Sequence, residues 1–77
     1  MITIIIKLTE ILLYLQLVSP TGSYTADGIN AIVTGNQPAV QNVQMMEQNN
    51  PNFQAQLDQQ YSTVAQGIVH FDPDENY

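Results

Sequence analysis

Large aliphatic side chains are concentrated at the N-terminal end of the chain. Residues 1–18 contain eleven isoleucine, leucine and valine residues, whereas the remaining 59 residues contain nine. The first segment is interrupted by Lys7 and Glu10 and is otherwise almost entirely apolar. A segment that is apolar on nearly all sides is unfavourable in water, so we expect it to be covered by protein.

The two halves of this segment carry different patterns. Leucine predominates in residues 8–18 and predicts a helix there. If the whole segment is helical, Lys7 and Glu10 share one polar stripe and form an ion pair. Residues 1–7 fit either a helix or a strand, because β-branched side chains predominate. Pro20 is expected to stop the helix, since the residue before a proline avoids the helical conformation.

Proline and glycine divide the rest of the chain into three further predicted helices, at residues 28–34, 38–48 and 52–69. Thr25 or Asp27 is placed to cap the first of these helices, and Gly35 is placed to follow its last turn. Asn50 is a suitable cap for the last helix, and Pro51 is a suitable first residue.

The last helix has the clearest pattern, because its apolar residues recur every three or four positions. They are Phe53, Leu57, Tyr61, Val64 and Ile68. Asparagine and glutamine account for 14 of the 31 residues from 30 to 60, so the polar faces are largely uncharged. We predict a mainly α fold with three to four short helices. Residues 1–18 form an apolar docking segment, and residues 19–77 form a small polar helical domain with a loose acidic tail at 70–77.

The charge of the chain argues against one class of partner. The net charge is −6, and Lys7 is the single lysine or arginine. Phosphate backbones are bound through several lysines and arginines, so we expect no direct contact with nucleic acid. A membrane span is disfavoured, because Lys7 and Glu10 would each cost about 2.5–3.5 kcal/mol near a bilayer centre. The first residues do not have the basic start of a secretory signal, so a location in the cytoplasm or within a particle is favoured over secretion.

Few residues of this chain are suited to chemistry. The sequence has no cysteine and one histidine, His70, so neither a disulfide nor a structural zinc site is expected. No nucleophile can be assigned a neighbouring base and an orienting group, so we expect no enzymatic activity, cofactor or metal. The acidic residues within 72–75 indicate a solvated end, or a peptide that docks on a basic groove, rather than a calcium site. Met45 and Met46 suit either an adaptable contact surface or ordinary core packing.

These features favour a structural or assembly subunit. A chain of 77 residues without a disulfide rarely gains more than about 3–5 kcal/mol from its core. We therefore expect a protein partner, either a second copy or a larger complex such as a virion. The candidate contacts are the apolar residues of the first segment and the last helix: Ile2, Ile4, Ile6, Leu8, Ile11, Leu12, Leu15, Phe53, Leu57, Tyr61 and Val64.

Two other functions stay open at this point. A small acidic inhibitor of a basic protein surface would need a clustered negative face, whereas Glu10, Asp27, Glu47 and Asp58 are far apart along the sequence. A membrane-associated accessory subunit would use residues 1–18 as its anchor.

Overall fold

The computed structural model describes residues 2–70, with side chains described from Ile4 onward. Within this range the chain forms α1 (Ile2–Tyr14), β1 (Tyr24–Thr25), α2 (Ala26–Gly35), α3 (Gln37–Asn49), α4 (Pro51–Ile68) and β2 (Val69–His70). The prediction of a mainly α fold with three to four short helices is confirmed. The predicted loose acidic tail, apart from His70 in β2, lies outside the described residues.

Helix α1 begins at Ile2 and ends at Tyr14, so it both starts and ends before the helix predicted at 8–18. The ambiguity over the first residues is resolved in favour of a helix from Ile2 onward. Their β-branched side chains are tolerated because helix propensity is a weak preference that packing overrides. The burial of this helix against the rest of the chain supplies that packing.

The end of α1 is closed by two backbone hydrogen bonds rather than by Pro20. The amide of Leu17 donates to the carbonyl of Leu12 at 2.9 Å. The amide of Gln16 donates to the carbonyl of Leu13 at 3.1 Å. This pair of bonds is the Schellman motif, which requires a left-handed residue after the helix. Gln16 provides it, with φ of 62°.

The starts of α2 and α4 follow local capping chemistry and agree with the predicted caps. The hydroxyl of Thr25 accepts a hydrogen bond from the amide of Gly28 at 3.0 Å. The side-chain oxygen of Asn50 accepts from the amides of Asn52 and Phe53 at 3.1 and 3.3 Å. These amides lack partners within their own helices, so each cap satisfies groups that would otherwise be unpaired.

Helices α2 and α3 are separated by a single residue, Asn36. Gly35 was expected to follow α2 but is its last residue, and Asn36 is the C-cap with φ of −131°. The backbone amide of Asn36 donates to Val33 at 3.1 Å, and its side-chain amide donates to Ile32 at 2.8 Å. A left-handed glycine is not needed here, because Asn36 itself satisfies carbonyls at the end of the helix.

A single hydrophobic core joins all four helices. Helix α1 packs most extensively on α4 and also contacts α2 and α3. The buried apolar residues are Ile6, Ile11, Leu12, Leu13, Val18, Ile29, Val33, Val40, Val43, Leu57, Ala65, Ile68 and Val69. The apolar N-terminal segment is therefore covered in large part by its own chain.

The two short strands pair in parallel and join the segment between α1 and α2 to the residues that follow α4. Tyr24 lies opposite Val69, and Thr25 lies opposite His70. The phenol oxygen of Tyr24 accepts a hydrogen bond from the amide of Ser19 at 2.9 Å. The pairing was not predicted, because a two-residue strand has no periodic pattern to detect. It holds the segment after α1 beside the end of α4.

Candidate functional site

The predicted contact residues of the N-terminal segment are divided between the core and the surface. The buried ones are Ile6, Ile11 and Leu12, the half-buried ones are Leu8 and Leu15, and the exposed one is Ile4. The side chain of Ile2 lies outside the described side chains. In this conformation the buried residues pack inside the chain and are not accessible to a partner.

The predicted contacts on α4 also face the core. Leu57 is buried, and Phe53, Tyr61 and Val64 are half-buried and pack against the core. The ring of Phe53 lies edge-on to the ring of Tyr14, with centroids 5.4 Å apart and planes at 79°. This face of α4 therefore holds α1 in place.

The large apolar side chains that do face solvent form a group that shares only Ile4 with the predicted contacts. Their exposed fractions are 57% for Ile4, 39% for Tyr14, 37% for Leu17, 58% for Met45 and 44% for Met46. We call these five residues the exposed apolar set. Tyr14 and Leu17 were not among the predicted contacts. Of the two roles expected for Met45 and Met46, core packing is not the one found, because α3 buries Val40 and Val43 and leaves both methionines exposed.

The surroundings of this set on α3 and α4 are polar but uncharged. The fully exposed side chains of these two helices are chiefly asparagine and glutamine. The two acids of α3 and α4, Glu47 and Asp58, are half-buried, so no fully exposed position of either helix is charged. Some amides pair along the surface, as where Gln41 donates to Gln37 at 2.9 Å.

A second notable feature is a carboxyl cluster between α1, α3 and α4. Glu10 of α1 is only 3% exposed. Its carboxyl group is hydrogen-bonded to that of Asp58 on α4, and the charge of Glu47 on α3 also acts on it. Lys7 is exposed whereas Glu10 is buried, so the two residues do not share an exposed stripe. Acids that are far apart in sequence are brought together by the packing of the helices.

The environment of Glu10 favours its neutral form. Burial raises its pKa from 4.5 to about 8, and the hydrogen bond and negative charge of Asp58 act in the same direction. The charge of Lys7 lowers this pKa and the charge of Glu47 raises it, both to a smaller extent. Burial, with the charge of Asp58, also raises the pKa of Glu47. The raised pKa keeps the carboxyl group of Glu10 protonated, so Glu10 donates the hydrogen bond to Asp58.

The chemistry available to this cluster is proton binding. Among residues 2–70, no group of three or more histidine, cysteine, aspartate or glutamate side chains is placed to hold a metal ion. His70 lies on β2 and is exposed. The hydroxyl of Ser62 accepts a hydrogen bond from the amide of Gln66 at 3.2 Å within α4.

No helix in the described part of the chain is long and apolar enough to cross a membrane. Comparison with protein-family models, with curated proteins and with solved structures finds no match to this chain.

Proposed function

We propose that the chain is a non-enzymatic structural or assembly subunit that binds another protein through its exposed apolar set. The observation that carries this proposal is the exposure of five large apolar side chains on so small a chain. Single exposed apolar residues are normal on soluble proteins, so the composition around these five also bears on the proposal. The surroundings of these residues strengthen it.

The faces of α3 and α4 beside Met45 and Met46 have the composition of a protein interface. The centres of protein interfaces are depleted in charge and enriched in aromatic residues and methionine. Methionine side chains adapt their shape to a partner. Asparagine and glutamine both donate and accept hydrogen bonds, so these faces can pair with a partner without removing a charge from water.

Helix α1 would take part through its outer face. The exposed side chains of this helix are Ile4, Lys7 and Tyr14, and their spacing of three and seven residues places them on one side of it. The opposite side is held by α4. A partner could therefore bind the outer face of α1 while its inner residues stay in the core.

The experiment measures the mass of the particle that contains the tagged chain in an extract of its native cells. We expect sedimentation well above the 8.6 kDa of a single chain. Replacement of Ile4, Met45 and Met46 by serine should shift the chain toward the single-chain position. A control with Asn30→Ser, Thr34→Ser and Thr63→Ser alters three other exposed residues and should sediment like the wild type.

Both sets of substitutions avoid the core, so the free energy of unfolding measured in urea should be nearly unchanged in each variant. A wild-type chain that sediments alone would contradict the proposal. The same conclusion would follow if the triple serine variant stayed in the particle as fully as the wild type.

A further inference from the structure

The position of Glu10 is unusual for an ionisable residue. It lies in the interface where α1 packs on α4 and is almost fully buried. The neighbouring charged groups are Asp58 from α4, Glu47 from α3 and Lys7 from α1 itself. Asp27 of α2 is exposed and is not among the charges that act on Glu10. Two carboxyl groups and one exposed ammonium therefore surround a buried carboxyl group.

An ionised Glu10 would be strongly disfavoured in this interface. Burial of a carboxylate is costly unless a cation pairs with it, and the closest hydrogen-bonding partner here is another carboxyl group. Two carboxyl groups in hydrogen-bond contact share one proton, because both cannot be ionised without repulsion. The interface between α1 and α4 is therefore most stable when Glu10 carries a proton.

We propose that the Glu10–Asp58 carboxyl pair is a pH-sensitive latch between α1 and α4. While Glu10 is protonated, it donates a hydrogen bond to Asp58 and holds the two helices together. Loss of this proton places two negative charges in the interface and weakens the packing of α1. This inference concerns the fold itself and does not depend on the proposed function.

The direction of the pH dependence follows from the two states of Glu10. The pKa of Glu10 is about 8 in the folded chain, against an ordinary value of 4.5. The unfolded chain therefore loses its proton first as the pH rises. The contribution of protonated Glu10 to the free energy of unfolding is fully present below pH 4.5. It falls as the pH rises toward about 8 and levels off above that value. The raised pKa of Glu47 adds to the same trend.

The experiment is urea unfolding of the full chain at a series of pH values from 5 to 8.5. For the wild type, we expect the unfolding constant to rise by up to about tenfold per pH unit over this interval. Glu10→Gln keeps the shape and a donor but cannot ionise, so it should flatten most of this rise. It should also be more stable than the wild type at pH 8. Asp27→Asn, a change of an exposed acid, should keep the wild-type pH dependence.

A wild-type stability that does not change between pH 5 and 8.5 would overturn the latch. An unchanged slope in Glu10→Gln would also overturn it. If Glu10→Gln does not fold, the side-chain carboxyl carbon of Glu10 can be titrated by NMR in the wild-type chain. A midpoint well above 4.5 supports the latch, and an ordinary midpoint overturns it.

Discussion

At the residue scale, Gln16 has the backbone conformation least suited to its side chain. Its φ of 62° is left-handed, which costs a residue with a Cβ atom roughly 1–2 kcal/mol. The Schellman hydrogen bonds at the end of α1 require this conformation. We predict that Gln16→Gly stabilises the fold by about 1 kcal/mol, because glycine adopts the conformation without strain.

The measurement is the urea concentration at the midpoint of unfolding. The slope of the free energy of unfolding against urea concentration should stay unchanged. Gln59→Gly is the matched control, since Gln59 is exposed in the interior of α4. There the same replacement should destabilise the fold by about 1 kcal/mol. If both changes were destabilising, Gln16 would not carry the strain assigned to it.

Leu12 is the residue at which the core should be most sensitive to truncation. Its side chain is fully buried in α1. We predict that Leu12→Ala costs about 2–5 kcal/mol, because it removes packed atoms and leaves a cavity. The control Met45→Ala shortens an exposed side chain and should cost less than about 0.5 kcal/mol. Equal losses in the two variants, by calorimetry or urea unfolding, would argue against the described core.

At the element scale, the start of α4 depends on one side chain. Asn50 accepts hydrogen bonds from two amides that have no partner in the helix. We predict that Asn50→Ala destabilises the fold by about 1 kcal/mol. Asn49, the last residue of α3, provides a control of the same type, and Asn49→Ala should change stability by less than about 0.5 kcal/mol. A greater loss in the control would show that the cap is not the source of the effect.

The caps at the starts of α2 and α4 were easier to predict from sequence than the ends of α1 and α2. The caps Thr25 and Asn50 act within a few residues, so their chemistry is visible locally. The end of α1 was misplaced because the usual signal, a left-handed glycine, is replaced by Gln16. The end of α2 was misplaced by one residue for the opposite reason, since Gly35 is present but not left-handed.

The carboxyl cluster could not be predicted in the same way. Glu10 and Asp58 are separated by most of the chain, and they come together because α1 packs on α4. A pattern along the helix placed Glu10 beside Lys7, which is a local pairing. Whether Glu10 is buried depends on which side of α1 is covered by α4. This is a property of the tertiary structure and not of the local pattern.

At the scale of the whole molecule, the N-terminal helix has two possible relations to the rest of the chain. The sequence pattern suggested a docking segment at 1–18 beside a separate domain at 19–77. In the structure α1 supplies several of the largest core residues, including Leu12 and Ile11. A chain this small has little core to spare, since domains of this size gain only about 3–5 kcal/mol in total.

We therefore predict that residues 19–77 do not fold alone. Deletion of residues 1–18 removes α1, exposes Leu57 and the apolar face of α4, and should abolish the cooperative urea transition. Addition of the separate 1–18 peptide should restore helical circular dichroism, because the peptide can reoccupy the same face. A control that lacks residues 71–77 retains all four helices and should unfold cooperatively. A cooperative transition in 19–77 alone would instead establish two independent units, with α1 free to dock elsewhere.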